Sequence, residues 1–340
     1  MPAKLDHDIS QRIAIARYLM IFGIVVLHVP PAVPLSAIGS DPFALLKGFF
    51  AHGLFRTTVP VLTCISGFLL FRAGLDRRFA DLLQKKVRTL LIPMIVWNAP
   101  LALALYYIQA QGLMDHQFSQ SLHPFSPRTM ADAVLALTGE SINYPLGFLR
   151  DLFVLALLAP LLGLFIRRAP WIGLVLVIAV FWLNLDAALI SRNMMPVTFY
   201  VGGLAAVRGW DLRRLDAFAL PLAAATVLAS AAIVVFEIRD IRLFQALAPF
   251  LIWPVGSLLA GTAAGRTLET LARHSFAIFV THAPVLLVLW MLYQKTPAQA
   301  VPYELFWLAA PFVVAAVCHG LHAAARWLAP GPTRFALGAR

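Results

Sequence analysis

Residues Arg17 to His28 read RYLMIFGIVVLH, an apolar run opened by a guanidinium and closed by an imidazole. The run lies in an apolar block over 12–29, and the length of that block sets the class of the chain. An apolar stretch of roughly 17–25 residues crosses a hydrocarbon core of about 30 Å as a helix. Such blocks recur near 12–29, 49–71, 88–108, 147–166, 170–187, 194–209, 216–236, 243–263, 273–293 and 303–327. The block at 194–209 is the weakest, being short and carrying Gly202 and Gly203. The expectation is an all-α, polytopic membrane bundle of about ten transmembrane helices, one domain over 1–340.

Composition agrees. Of 340 residues, 61% are hydrophobic and 13% charged, against about a quarter charged in soluble domains. Mean hydropathy is +0.81. The net charge of +11 is carried in short loops between blocks. That is the pattern of topology determinants facing anionic lipid, not of a nucleic-acid surface. One set of loops holds Lys4 and Arg12, then 72–88, 167–168, 208–214 and 266–273, and finally Arg326, Arg334 and Arg340. The alternate loops are poor in Lys and Arg, which places both termini in the cytoplasm. Localisation is then expected to be a bacterial inner membrane. Ala37-Ile38-Gly39 has the form of a signal-peptidase site, but Arg17 and the prolines at 30, 31 and 34 break that pattern, so the first block reads as a retained span. Cys64 and Cys318 lie inside apolar blocks and read as packing residues. The segment 109–146 is polar, proline-bearing and aperiodic. It reads as an outer-side loop, a plain connector in preference to a cap over a site.

Eleven residues separate Arg17 from His28, three turns plus roughly 20° at about 100° per residue. Both side chains leave one helix face, about 16 Å apart along the axis, with Ile21 and Ile24 between them. Either end can be explained blandly, Arg17 by snorkelling and His28 by hydrogen bonding at the boundary. Both on one face point instead to a shared polar cavity, because charges retained inside a span face cavities. The helix should stop after His28, where Pro30 and Pro31 disfavour helical geometry. In QKKVRTLLIP, Lys85 and Arg88 are three apart and read either as stop-transfer charges or as a phosphate clamp.

The spaced Arg–His pair, followed by TVPVLTCISGFLLF (58–71) and KKVRTLLIPMIVW (85–97), resembles the acyltransferase 3 family. GFLRDLFVLALLAPL (147–161), FYVGGLAAVRG (199–209) and HSFAIFVTHAPVL (274–286) continue the resemblance in order. Lys85 departs from the family's usual arginine and lacks its bidentate fork. Many members also carry an additional extracytoplasmic domain, of which this sequence shows no sign.

The resemblance implies an integral-membrane O-acyltransferase that moves an acyl group, acetyl ahead of succinyl, from cytoplasmic acyl-coenzyme A to a hydroxyl of a cell-surface or lipid-linked carbohydrate. On that reading Arg17, Lys85 and Arg88 hold coenzyme A phosphates and His28 is the general base. Oxyanion stabilisation would fall to amides around Ser66-Gly67 or to Asn98. Asp41, Glu140 or Asp151 could orient His28, although Arg150 and Asp151 could equally pair with each other. His52 and Arg56, at i and i+4, form a face where a sugar could dock. His282, two residues before Pro284, reads equally as a functional group or as a partner for freed carbonyls. His319 and His322 lack further ligand candidates, so no metal is expected. The rival classes are a transporter or flippase for a lipid-linked saccharide, whose inverted repeats are not visible, and a membrane scaffold, which has no need of the Arg–His face. The oligomeric state is not legible.

Overall fold

The computed structural model describes residues 5–113, 120–185, 189–192, 194–297 and 300–338. The centre of the 109–146 loop (114–119), the end of the 170–187 block, Lys4 and Arg340 lie outside the described residues. Among the described residues, eight helices are long and apolar enough to span a membrane. They are α1 (His7–Leu27), α2 (Pro42–Arg72), α3 (Phe79–Ala110), α5 (Tyr144–Arg168), α8 (Asp216–Val235), α9 (Arg242–Leu259), α11 (Ser275–Gln294) and α12 (Tyr303–Leu328). Two blocks read as spans form shorter apolar helices, α6 (Pro170–Trp182) and α7 (Met195–Val207). Three short helices complete the order: α4 (Pro127–Leu135), α10 (Ala263–Ala272) and α13 (Pro330–Ala336). The described residues contain no strand, and the chain is a polytopic helical membrane bundle.

The sequence places the helix starts. Asp6 caps α1 by accepting from the Asp8 amide at 3.1 Å. Asp41 caps α2 ahead of Pro42, accepting from the Ala44 amide at 2.8 Å. Each satisfies an orphan N–H of a first turn, and proline at the first position forfeits none. α1 ends at Leu27, as the prolines beyond it require.

α1 is the axis of the bundle. Of its most apolar window 67% is buried, against 17% for the peripheral α9, and it packs on α2, α10, α11 and α12. Its N-terminal end is locked by charge. Buried Arg12 pairs with Asp8 at 3.0 Å and Asp216 at 2.8 Å, while Arg213 bonds Asp6 and Asp8. We call this end, which also carries Arg273, Arg326 and Arg334, the basic end.

α2 and α7 approach to backbone contact. A Cβ on Gly67 would strike the Phe199 carbonyl oxygen, and one on Gly202 would strike that of Cys64. Small residues let membrane helices approach to backbone contact, so the glycines that weakened 194–209 as a span are what dock it.

Two helices are not regular. α2 passes through an i→i+5 turn at Phe49–Gly53 and a 3₁₀ turn at Leu54–Thr57. There a Cβ on Gly53 would sit 2.7 Å from the Ser230 carbonyl oxygen of α8. α3 has another i→i+5 turn at Val87–Leu91. Both insertions reset the angular phase of the helix beyond them. The 109–146 segment is not merely a connector. Ser126 and Pro127 start α4, and the chain then turns inward, with Ser141 and Asn143 buried.

Candidate functional site

At the end opposite the basic one, a cavity of about 320 Å³ is lined by His28, Glu140, Asn143, Tyr144 and Trp290. Its base is set by a chain of hydrogen bonds. In α11, Pro284 has no N–H to offer the Val280 carbonyl, and Asn143 Nδ2 donates to that oxygen at 2.9 Å. Beside it in the same helix, His282 Nδ1 lies 3.1 Å from the Ile278 oxygen and 2.8 Å from the Phe279 oxygen. Carbonyls only accept, so this nitrogen carries the proton and the fully buried neutral ring presents a lone pair at Nε2. His28 Nδ1 lies 3.0 Å from that atom and therefore carries a proton of its own. The remaining lone pair of the dyad is on Nε2 of His28.

The two imidazole planes lie 9° from parallel with centroids 5.3 Å apart, as rings joined edge to edge by the Nδ1–Nε2 hydrogen bond require, and Tyr144 meets the His28 ring edge-on at 4.6 Å. Asn143 Oδ1 is buried without a partner. His28, Asn143 and Tyr144 thus line one cavity.

At the basic end a larger cavity, about 830 Å³, is lined by Arg17, Lys85, Lys86, Arg273, Arg326 and Arg334, with His322 among them. No Asp or Glu among the described residues lines it. The cations come from α1, α3, the α10–α11 connection, α12 and α13, so the site exists only in the folded bundle. Burial, with His319, Arg326 and Arg273 close by, holds His274 beside this mouth below its ordinary pKa. The C-terminal helix is fastened over the cavity by Trp97 Nε1 donating to the Ala336 oxygen at 3.1 Å.

Arg17 and His28 do not open into one cavity, contrary to the expectation from their shared face. Phe148 and Phe279 close the inner end of the basic cavity with ring centroids 5.8 Å apart. One turn further along their helices, Tyr144 and Ala283 line the far cavity. The partition is therefore about one helical turn thick, roughly 5 Å.

The other candidates fall in several places. Lys85 lines the basic cavity but Arg88 does not; Lys86 takes its place. The lining residues of α3 are Lys85, Lys86, Thr89 and Leu90, one helix face, and Arg88 falls outside it. Ser66 lines the basic cavity with its hydroxyl donating to the Leu62 carbonyl, and does not line the far cavity. Asn98 is fully buried and ties down the inward loop, accepting from the Asn143 amide at 3.0 Å and donating to the Val134 oxygen at 2.8 Å. Arg150 and Asp151 pair at 2.7 Å, and Asp151 also accepts from Arg192 at 3.2 Å. No carboxylate among the described residues orients His28; His282 stands in that place. His52 and Arg56 lie in the irregular turns of α2 and take different partners. His52 reaches the Val33 oxygen at 2.8 Å, and Arg56 lines a third cavity.

Asn143, Tyr144, Lys86, Arg273, Arg326, Arg334 and His322 were not singled out for these roles from the sequence. Their signal was weak: a polar INY run in a loop, and charges already accounted for as topology determinants.

Residues 11–320 match the acyltransferase 3 family, described as an acyltransferase domain. The chain is also 33% identical to the succinoglycan biosynthesis protein ExoH of Rhizobium meliloti over 350 residues, covering 99% of this chain and 94% of the relative. No solved structure matches. The match over residues 11–320, together with the relative aligned over 99% of the chain, shows that the chain belongs to the acyltransferase 3 family of membrane acyltransferases.

Proposed function

We propose that the protein transfers an acyl group, acetyl or succinyl, from acyl-coenzyme A at the basic, cytoplasmic end to a hydroxyl of a cell-surface or lipid-linked carbohydrate in the far cavity. Both termini then lie in the cytoplasm, in a bacterial inner membrane. The observation that carries this reading is the hydrogen-bonded dyad that leaves a lone pair on His28 Nε2. The relative's name, which speaks of succinoglycan biosynthesis, supports a carbohydrate acceptor.

The donor suits the larger cavity. Its phosphates meet Arg17, Lys85, Lys86, Arg326 and Arg334 through charge-assisted bonds, and its arm runs along the apolar throat toward Phe148 and Phe279. Rotation of those rings joins the two cavities. His28 Nε2 then removes the acceptor's hydroxyl proton as that oxygen attacks the thioester carbonyl. Tyr144, whose hydroxyl bonds no other described residue, donates to the developing oxyanion. The C–S bond breaks, the ester forms, and the departing thiolate takes the proton back from His28. Atoms and charge balance without a metal.

The decisive experiment incubates membranes holding wild-type or His28→Ala protein with labelled acetyl- or succinyl-coenzyme A and follows label into glycans by mass. Transfer should vanish in the variant at unchanged protein level. Wild-type transfer in His28→Ala would remove the base assignment, and saccharide flux without a mass change would identify a transporter instead.

A further inference from the structure

A third cavity, about 420 Å³, opens at the same end as the dyad and is lined by Arg56, Arg192, Arg242, Trp182, Asn184 and Leu27, among others. Leu27 precedes His28 in α1, so the cavity lies across that helix from the base. Its three arginines come from separate elements: mid-α2, the approach to α7 and the start of α9. No Asp or Glu among the described residues lines it.

The three guanidiniums are held in different ways. Arg56 Nε donates to its own helix, at the Ala51 oxygen, 2.9 Å away, and has no carboxylate partner among the described residues. Arg192 shares the buried Asp151 carboxylate with Arg150, so two cations balance against one anion. Arg242 is clamped by Asp240 and lies 4.3 Å over the Trp182 ring, which fixes the guanidinium plane at the cavity rim. A guanidinium within a span is retained where it faces a partner or a cavity. Here it faces a cavity lined by two further arginines and Gln245 and, among the described residues, by no carboxylate. Such a lining binds an oxyanion.

We propose that this cavity recognises an anionic substituent, carboxylate or phosphate, on the saccharide acceptor and so presents a neighbouring hydroxyl to His28. The inference rests on the reading that the acceptor enters at this end, but it predicts binding, which can be measured without acyl transfer.

The test titrates the purified, detergent-solubilised protein with a glucuronate-terminated oligosaccharide, its neutral glucose counterpart and glucose 1-phosphate. The anionic ligands should bind about tenfold more tightly than the neutral one, with the advantage shrinking as salt rises. Glucuronate against phosphate reports which oxyanion the cavity prefers. Arg56→Gln should erase the advantage and leave neutral-sugar binding alone, while Arg56→Lys keeps part of it. Arg242→Gln, at the rim, supplies the same comparison if Arg56→Gln does not fold. Equal binding of neutral and anionic saccharides, or an advantage that survives both variants, overturns the proposal. Competition by phosphatidylglycerol nanodiscs, lost in the same variants, would assign the cavity to lipid and overturn it too. His28→Ala should retain anion binding, so a failure of the base assignment and a failure of this site give different results.

Discussion

The two ends of the bundle are built on different principles. The basic cavity gathers its cations from five elements, most of them long, partly exposed side chains, with no carboxylate among the lining residues described. The far cavity depends on one ordered chain: carbonyls 278 and 279, the His282 ring, then the His28 ring. A distributed field tolerates the loss of any one member, because each guanidinium or ammonium contributes a separable share. A hydrogen-bonded relay does not, because each proton position is dictated by the one before it. On the proposed function, the basic end would hold the anionic donor and the far end would position a single proton.

The comparison is broken most directly at the relay. His28→Ala should lower kcat by about 10²–10⁴-fold, the usual worth of a general base, with the donor KM unchanged. Transfer assays in membranes across a donor titration measure both. A matching rise in donor KM would move His28 into the binding site. His282→Leu should cost about 10²-fold, through mispositioning rather than loss of the base, and should disturb the pH–rate profile. His282→Gln keeps an amide oxygen to accept from His28 Nδ1, so part of the rate should return. A Gln variant no better than Leu would mean that His282 only fills space.

At the basic end the effects should be smaller and confined to binding. Arg326→Gln and Arg334→Gln are each expected to raise the donor KM about tenfold, as the loss of one charge-assisted hydrogen bond implies. The penalty should diminish at high salt, with kcat within about twofold of wild type. A kcat loss comparable to that of His282→Leu would erase the distinction between the two ends. The smallest effect should come from Arg88→Gln. Because the lining face of α3 runs through residues 85, 86, 89 and 90 and leaves this residue out, its donor KM should match wild type, whereas Lys86→Gln should raise it. Reversal of those two outcomes would restore Lys85 and Arg88 as the clamp.

Much of the site was legible where the chemistry is local to one helix. Arg17 and His28 each line a cavity, though two separate ones and not the shared cavity that their common face suggested. Prediction failed where a helix left its period. The irregular turns at 49–57 hold His52 and Arg56, of which only Arg56 lines the third cavity. It failed too where a polar group holds the scaffold together. Asn98 pins the inward loop, and Asp151 joins two arginines without approaching the base.

The amino-acid sequence by itself determined that this is a helical membrane bundle, because the length of an apolar block against the thickness of a bilayer is a one-dimensional measurement. It likewise put Arg17 and His28 on one face, because angular phase within a regular helix follows from residue number. The tertiary structure alone decided that His282, 254 residues away, sets the tautomer of His28, and that arginines from α12 and α13 join Arg17. It also set Phe148 and Phe279 as a partition between the two residues of the opening stretch. Contacts between helices depend on how the helices dock, and no periodicity along a single chain encodes which neighbour will face which.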